Sequence, residues 1–384
     1  MQKNAYYISN NYNTVSKLSY TMSIYEAIDM LRSCQTGKLM DAAASIRDHE
    51  KGKVITYSRK IFIPVVNLCR DECKYCGYRK EPAQGGSFIS LQEIEGLVKK
   101  ARDARCTEAL LVAGDRPEAR YPEAKRFLHD NGAGSTADYL LRAAETSLAG
   151  GLLPHTDAGL LSMSEMGKLK NFNASMGVML ESTSRLLLEP GMAHWRSQSK
   201  VPSLRIMMLE NAGKLKIPMT TGILLGIGET IDDIVESLFE IKRINDTYGN
   251  IQEVIIQGYT SNEHSSMGVS VDPEKVKRVI SIARLILGPG MNIQSPPNLL
   301  DCESIMAAGA NDLGGISPLT IDYVNPERPW PKITELEKSC NRMGFKLRIR
   351  LPVYPEFIER PGYVSVRVME LVEKMVDKSG LVMA

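Results

Sequence analysis

The sequence predicts an α/β fold, a (β/α)8 barrel of the TIM type, and three observations point to it. Eight short apolar runs rich in β-forming residues follow one another from about residue 60. Longer amphipathic stretches separate them, as in repeated βα units around a parallel sheet. The chain has 384 residues, 43% of them hydrophobic and 24% charged, which is enough for a large core.

The elements alternate along the middle of the chain. The predicted strands span residues 60–66, 109–113, 152–155, 177–181, 219–225, 253–257, 292–294 and 312–314. The predicted helices span residues 90–102, 137–148, 201–215, 230–244 and 273–287. The first of these helices opens with Ser-Leu-Gln-Glu, a capping-box pattern.

Segments outside the barrel form two extensions. Residues 1–57 are predicted as an N-terminal helical extension, because Ile24, Ala27, Ile28 and Leu31 have helical spacing. The barrel is expected to span residues 58–325. Residues 326–384 are expected to form a C-terminal extension packed on the barrel, with a helix over 364–378 that covers the barrel or meets a partner.

Composition excludes several classes of protein. Lys and Arg total 47 against 45 Asp and Glu, so the formal charge of +2 argues against a nucleic-acid or anionic-membrane binder. No apolar run approaches a membrane span, and the first twenty residues lack the apolar stretch of a signal peptide. We therefore expect a soluble cytoplasmic protein. Seven cysteines, an odd number, argue against a disulfide framework.

Three of the cysteines lie within eight residues, directly after the first predicted strand. Cys69, Cys73 and Cys76 form a Cys-x-x-x-Cys-x-x-Cys motif. Three thiolates that close together can hold a compact iron-sulfur cluster and leave its fourth iron open for a substrate. The alternatives are a three-cysteine zinc site completed by a distant histidine, or core cysteines brought together by coincidence.

This motif resembles that of the radical S-adenosylmethionine (SAM) superfamily. The resemblance implies a 4Fe-4S cluster held by the three cysteines, with SAM chelating the fourth iron. Reductive cleavage of SAM would then give methionine and a 5′-deoxyadenosyl radical that abstracts hydrogen from the substrate. The resemblance also places Tyr75 beside the adenine of SAM.

Other strand ends are candidate SAM contacts. Gly114 and Asp115 stand where the superfamily contacts the SAM amino group, although a turn capped by Asp115 explains them as well. Glu181 suits ribose hydroxyls or the amino group, with a surface salt bridge as the alternative. Two arginines follow, of which one is expected to bind the SAM carboxylate, and two glycines lie where the superfamily packs adenine: Arg196, Arg205, Gly226 and Gly228.

The third predicted strand ends in His155 and Asp157, which are the candidate catalytic residues. They offer hydrogen bonds and proton transfer to a polar substrate. A histidine at a strand end is as often a structural residue, and that alternative stays open.

Several segments together resemble one family within the superfamily, the 7,8-didemethyl-8-hydroxy-5-deazariboflavin synthases. These segments are Cys-Gly-Tyr, Gly-Asp-Arg-Pro-Glu, Leu-Pro-His-Thr, His-Trp-Arg-Ser, Gly-Ile-Leu-Leu-Gly-Ile-Gly-Glu-Thr and Asn-Pro-Glu-Arg-Pro-Trp-Pro, and the resemblance runs from about residue 60 to about residue 355. Asp157 departs from the asparagine expected there, and Gly77 from a threonine.

The resemblance implies a radical SAM lyase of deazaflavin coenzyme biosynthesis. Its substrate would be 5-amino-5-(4-hydroxybenzyl)-6-(D-ribitylimino)-5,6-dihydrouracil, which closes a ring and loses ammonia. Implied partners are a separate adduct-forming radical SAM subunit and a reductant such as ferredoxin or flavodoxin. Two alternatives remain: the partner enzyme itself, which joins tyrosine to ribityl diaminouracil, and a non-catalytic metal-binding protein.

Overall fold

Eight parallel strands with intervening helices close into a barrel, which confirms the predicted fold class. The computed structural model describes residues 22–263 and 265–383, so predictions for residues 1–21 lie outside it. The strands are β1 (Val54–Val66), β2 (Glu108–Ala113), β3 (Leu153–Asp157), β4 (Ser175–Gly177), β5 (Met219–Leu225), β6 (Ile251–Gly258), β7 (Ile293–Gln294) and β8 (Asp312–Ile316). The barrel closes because the long β1 pairs with β2 through residues 60–66 and with β8 through residues 56–59.

Helices surround the barrel and flank it at both ends of the chain. They are α1 (Ile24–Ser33), α2 (Thr36–Lys51), α3 (Leu91–Asp103), α4 (Pro122–Asp130), α5 (Thr136–Ala149), α6 (Met163–Leu169), α7 (Pro202–Lys214), α8 (Ile231–Tyr248), α9 (Pro273–Leu287), α10 (Cys302–Ala307), α11 (Ile333–Arg342), α12 (Pro355–Ile358) and α13 (Val366–Val372). Among the helices of the described residues, none has both the length and the apolarity that crossing a membrane requires.

Local sequence explains where α3 begins and which face it buries. Ser90 accepts a hydrogen bond from the backbone N–H of Glu93, whose carboxylate accepts one from the backbone N–H of Ser90. Ile94, Val98 and Ala101 recur at helical spacing and are buried against the barrel. The predicted capping box is therefore confirmed.

Two elements end well before their predicted last residue. The strand expected over 177–181 is only Ser175–Gly177, and its pairing with β5 resumes as a single bridge between Glu181 and Ile223, where Glu181 has a left-handed conformation (φ 65°). The helix expected over 364–378 is also shorter. It ends at Val372, and the chain then folds back so that Val376 bridges Val382.

A ninth strand, β9 (Lys346–Arg350), was not predicted. It pairs in parallel with residues 54–58 of β1 and so joins the barrel sheet. The division into residues 1–57, 58–325 and 326–384 stays a prediction. β1 begins before residue 58, and β9, which lies in the segment 326–384, adds a strand to the barrel sheet.

The segment after β9 closes the lower end of the barrel, where the strands begin. The carbonyl of Pro352 accepts hydrogen bonds from Ser175 Oγ (2.6 Å) and Gln252 Nε2 (2.9 Å). Leu351 and Tyr354 are buried in an apolar cluster that also includes Leu153, the first residue of β3. The C-terminal extension thus leaves the upper end of the barrel as the open one.

Candidate active site

The three motif cysteines lie on the loop that follows β1 at the upper end of the barrel. All three are free thiols that are neither fully buried nor exposed. The backbone N–H of Asp115 donates to Cys69 Sγ at 3.1 Å, and that of Arg79 donates to Cys76 Sγ at 3.4 Å. Backbone donors of this kind stabilise sulfur that carries negative charge, as a metal-bound thiolate does.

Burial is the largest influence on the pKa of two of these thiols. It raises the pKa of Cys69 and brings the pKa of Cys73 to about 11, although the nearby Lys200 ammonium lowers the latter. Within the described ranges, no three His, Cys, Asp or Glu side chains are grouped to hold one metal ion. In a cubane cluster each thiolate binds a different iron atom. Soft donors on one loop, two of them already receiving backbone hydrogen bonds, fit a 4Fe-4S cluster.

A glycine lets the cysteine loop pack against the end of β2. A Cβ atom on Gly114 would lie 2.0 Å from the carbonyl oxygen of Leu68 and 2.7 Å from Cys69 Cβ, so no other residue fits without moving this loop. Asp115 follows, and its carboxylate accepts hydrogen bonds from Arg70 Nε (2.5 Å) and the Leu160 N–H (2.8 Å). The Asp115 side chain therefore fixes two loops to each other.

Tyr75 contributes to an apolar wall beside the cysteines. Its hydroxyl lies 3.2 Å from His194 Nε2, and its ring packs on a cluster that includes Leu187 and Ile227. Ile227 lies between Gly226 and Gly228, both of which have positive φ angles. The structure thus brings Tyr75 and the two predicted glycines to one apolar surface, which suits the face of a purine.

The same loop is held by an acidic residue that sequence reasoning did not single out. The carboxylate of Glu229 accepts hydrogen bonds from the backbone N–H groups of Gly226 (2.9 Å) and Ile227 (2.8 Å). Lys275 pairs with it at 2.6 Å. The Gly-Ile-Gly-Glu sequence that ends in Glu229 was the signal that could have identified this residue.

Glu181 lies next to two buried cations. Lys200 Nζ is 2.5 Å from its Oε1, and both side chains are largely shielded from solvent. Burial alone would raise the pKa of Glu181, but Lys200 and Arg205 outweigh it and lower the pKa. The carboxylate is therefore ionised at neutral pH and keeps an oxygen for a further hydrogen bond.

The two predicted arginines have different surroundings. Arg205 is buried, donates from Nε to the Ser199 carbonyl at 2.7 Å and hydrogen-bonds the Met179 carbonyl, so it braces the loop after β4. Arg196 is exposed, with Nη1 3.8 Å from the Glu72 carboxylate. Lys200, which sequence reasoning did not single out, makes the direct contact with Glu181.

Below the loops, a cavity of about 200 Å³ lies inside the barrel. His155 and Asp157 line it from β3, and Lys60 lines it from β1. Burial lowers the pKa of His155 to about 4 and raises that of Asp157 to about 6. Among the described residues, neither the Asp157 carboxylate nor the Lys60 ammonium has a hydrogen-bond or ion-pair partner within contact distance. Lys60, which directly precedes the apolar run of the first predicted strand, was overlooked.

Comparisons with known proteins agree with this geometry. The Radical SAM superfamily model matches residues 63–241. A 7,8-didemethyl-8-hydroxy-5-deazariboflavin synthase of Methanopyrus kandleri is 42% identical over 333 residues, covering 85% of this chain and 99% of that protein. The enzyme of the same name from Methanosarcina mazei is 43% identical over 329 residues, with 85% and 96% coverage.

A longer relative and two solved structures extend the comparison. The FO synthase of Mycobacterium tuberculosis is 43% identical over 339 residues, but the chain spans only 39% of that protein. The FeFe-hydrogenase maturase HydG from Carboxydothermus hydrogenoformans superposes with a TM-score of 0.70 at 16% identity, covering 94% of this chain and 89% of that one. Methylornithine synthase (PylB) gives 0.68 at 17% identity, with 86% and 95% coverage. At these identities the two structures support the fold alone.

Proposed function

The chain belongs to the radical SAM 7,8-didemethyl-8-hydroxy-5-deazariboflavin synthases, and from this premise we propose that it is the ring-closing lyase of deazaflavin coenzyme biosynthesis. It would convert 5-amino-5-(4-hydroxybenzyl)-6-(D-ribitylimino)-5,6-dihydrouracil to the deazaflavin, with loss of ammonia, in the cytoplasm. The observation that carries the proposal is the 42% identity that extends over 99% of the Methanopyrus kandleri synthase.

The cysteine loop supports the proposed cofactors. Cys69, Cys73 and Cys76 would hold a 4Fe-4S cluster, because they are the soft donors at the mouth of the barrel. When bound, the cluster and SAM supply the radical that removes a hydrogen atom from the substrate. A reductant such as ferredoxin or flavodoxin would provide the electron.

Contacts to SAM are proposed from the geometry of the surrounding loops. Tyr75, Gly226 and Gly228 would contact its adenine, since they share an apolar surface. Glu181 would accept hydrogen bonds from ribose hydroxyls or the amino group through its remaining oxygen. Four further residues are proposed at the polar end: Gly114, Asp115, Arg196 and Arg205.

Asp115 and Arg205 would act there indirectly, because their side chains are engaged with the protein. The Asp115 carboxylate holds the loop whose backbone would face the SAM amino group. Arg205 holds the loop that carries Glu181. Arg196 would have to turn away from Glu72 to reach a carboxylate.

The substrate would occupy the barrel cavity, where His155 and Asp157 are the candidate catalytic residues. The neutral imidazole of His155 can accept a hydrogen bond or a proton. Asp157, with its pKa raised to about 6, can hold or give a proton near neutral pH, which suits the departure of an amine. Lys60 adds a cation to the same cavity.

A substrate comparison tests this proposal against its nearest rival. The reconstituted, reduced protein is incubated anaerobically with SAM and either the preformed adduct or tyrosine plus ribityl diaminouracil. We expect the fluorescent deazaflavin from the adduct and no consumption of tyrosine. Adduct formation from tyrosine would identify the chain as the partner enzyme. Zinc without iron in anaerobically purified protein would leave a metal-binding protein without this activity.

The same experiment addresses the proposed partner. The chain spans 39% of the Mycobacterium tuberculosis FO synthase but 99% of the Methanopyrus kandleri synthase. We propose that a separate polypeptide supplies the adduct to this chain. Adding that enzyme to the tyrosine reaction should then restore deazaflavin formation.

A further inference from the structure

We propose that Ser175 and the backbone carbonyl of Pro352 hold His155 in the tautomer that carries its proton on Nδ1. The unprotonated Nε2 then faces the barrel cavity as an acceptor for an N–H or O–H group of the substrate. The inference rests on the proposed function only for the identity of that substrate. Ser175 is a positioning residue here, and Pro352 brings the C-terminal extension into contact with the reactive cavity.

The direction of the hydrogen bonds follows from the single proton of the Ser175 hydroxyl. Ser175 Oγ lies 2.6 Å from the carbonyl oxygen of Pro352 and 2.7 Å from His155 Nδ1. A carbonyl oxygen only accepts, and two oxygens this close repel each other unless a proton lies between them. Ser175 must therefore donate to Pro352, and its oxygen accepts the proton that His155 carries on Nδ1.

The low pKa of His155 means that only one of its two ring nitrogens carries a proton at neutral pH. Burial is the largest influence and lowers the pKa of His155 to about 4, and the positive charges of Lys60 and Arg350 lower it further, against Glu108. At neutral pH the ring is neutral and carries one proton. Because that proton is on Nδ1, Nε2 has a free lone pair.

A glycine on the neighbouring strand makes room for Nε2. A Cβ atom on Gly177 would lie only 2.8 Å from His155 Nε2, and both residues line the cavity. Within residues 22–263 and 265–383 no hydrogen bond to Nε2 is formed. The acceptor is thus built into the wall, with Asp157 two positions further along the same strand.

Histidine tautomers can be measured directly. The chain contains five histidines, so long-range ¹H–¹⁵N correlation spectra of protein labelled with ¹⁵N-histidine should resolve each ring. His155 is assigned by the signals lost in a His155→Gln variant. We expect a neutral Nδ1–H ring near neutral pH in the unmodified protein. A ring protonated on Nε2, or on both nitrogens, would overturn the inference.

Variants of Ser175 test its positioning role. Ser175→Ala should release the ring into a mixture that includes the Nε2–H form, and Ser175→Thr, which keeps the hydroxyl, should restore Nδ1–H. Ser147→Ala is the matched control, because Ser147 is also buried and donates to a backbone carbonyl, that of Ala143. An unchanged His155 tautomer in Ser175→Ala would overturn the role of Ser175.

Kinetics separate positioning from a purely structural effect. Ser175→Ala should raise KM for the adduct roughly tenfold, the size expected for one lost hydrogen bond, with unchanged affinity for SAM. A shifted tautomer with an unchanged KM would overturn the substrate contact. If the protein does not convert the adduct at all, the proposed function fails, while the tautomer in the spectra still decides whether His155 is held as inferred.

Discussion

The buried charged groups at the lower end of the barrel are paired with one another, whereas Asp157, nearer the upper end, is not. At the lower end Arg350 Nη2 lies 2.8 Å from Glu253 Oε1, and its Nε lies 2.6 Å from Asp312 Oδ2. Tyr354 completes the set by donating to Glu253 at 2.9 Å. Arg350 and Glu253 line the same cavity as Asp157, whose carboxylate makes no such hydrogen bond within the described part of the chain, although it is only partly exposed.

The paired groups at the lower end stabilise the fold, whereas the unpaired group can take part in chemistry. Burial raises the pKa of Glu253, but Arg350 opposes this shift and fastens the C-terminal extension to the barrel. The unpaired Asp157 carboxylate has a pKa raised to about 6 by burial and is free to meet a ligand. The upper end therefore holds reactive groups that cost stability, and the lower end supplies compensating contacts. Substitutions at the two ends should consequently differ in what they abolish.

The largest effect is expected from Cys73→Ala at the upper end. Losing one of three cluster ligands should abolish iron binding and SAM cleavage, because a two-cysteine loop holds the cluster poorly. Stability of the cluster-free protein should change little, since Cys73 is not part of the apolar core. Iron analysis and 5′-deoxyadenosine formation measure this. Cys106→Ala, at a buried cysteine beside β2, should keep its iron, and equal iron in both variants would contradict the assignment.

At the lower end, Arg350→Met should reverse the pattern. Removing the cation leaves Glu253 and Asp312 buried without compensation, which costs about 3–5 kcal/mol of unfolding free energy. Folded molecules should still bind iron. Urea unfolding of the cluster-free protein and iron content per folded chain measure the two effects. Arg342→Met is the control, because its ion pair with Glu303 is exposed. Equal losses in both variants would contradict the role of the lower end.

Lys200→Met should have an intermediate effect confined to SAM. Without its ammonium at 2.5 Å, the Glu181 carboxylate stays buried without its closest cation and its pKa rises. We expect weaker SAM binding, roughly tenfold to a hundredfold, with iron content unchanged. Equilibrium binding of SAM to the reconstituted protein measures it. Unchanged affinity would remove Glu181 from the proposed SAM contacts.

Asp157→Asn should have the smallest effect, and its sign depends on pH. The pKa of Asp157 rises from 3.8 to about 6 in the folded state, so its contribution to stability is complete below the unfolded pKa and is lost as pH rises through about 6. The variant should therefore be more stable than the parent by about 2 kcal/mol at pH about 8, with partial exposure taken into account.

Urea unfolding of the cluster-free protein near pH 5 and pH 8 checks that sign. The gain should shrink toward the lower pH, where the parent carboxyl group becomes protonated. A constant difference between parent and variant would contradict the shifted pKa. The variant also carries the asparagine that the family resemblance led us to expect, so its activity shows whether the carboxyl group itself is needed.

Prediction from the sequence succeeded where a segment is uniform. β5 is rich in β-forming residues and buried throughout, α9 has regular helical spacing, and both were predicted with their observed bounds. β9 alternates basic and apolar residues on a partly exposed strand, so it gave no clear core pattern. β4 ends at Gly177 although the apolar run extends to residue 180, and only a single bridge from Glu181 to Ile223 continues its pairing with β5.

The candidate site divides in the same way. The cysteines were predictable because their spacing is local. The pairing of Lys200 with Glu181 joins residues that lie nineteen positions apart, and the contact of Ser175 with Pro352 joins residues 177 positions apart. Only the fold decides which of several nearby cations reaches the carboxylate. Local motifs therefore predicted the chemistry, and tertiary contacts determine which side chains support it.

The most direct test of this account is one anaerobic reaction of the reconstituted, reduced protein with SAM and the preformed adduct, analysed by mass spectrometry. The account predicts that 5′-deoxyadenosine and the fluorescent deazaflavin form together, and that both disappear in Cys73→Ala. An iron-loaded protein that yields neither product would contradict the claim that the upper end of the barrel is a radical SAM active site.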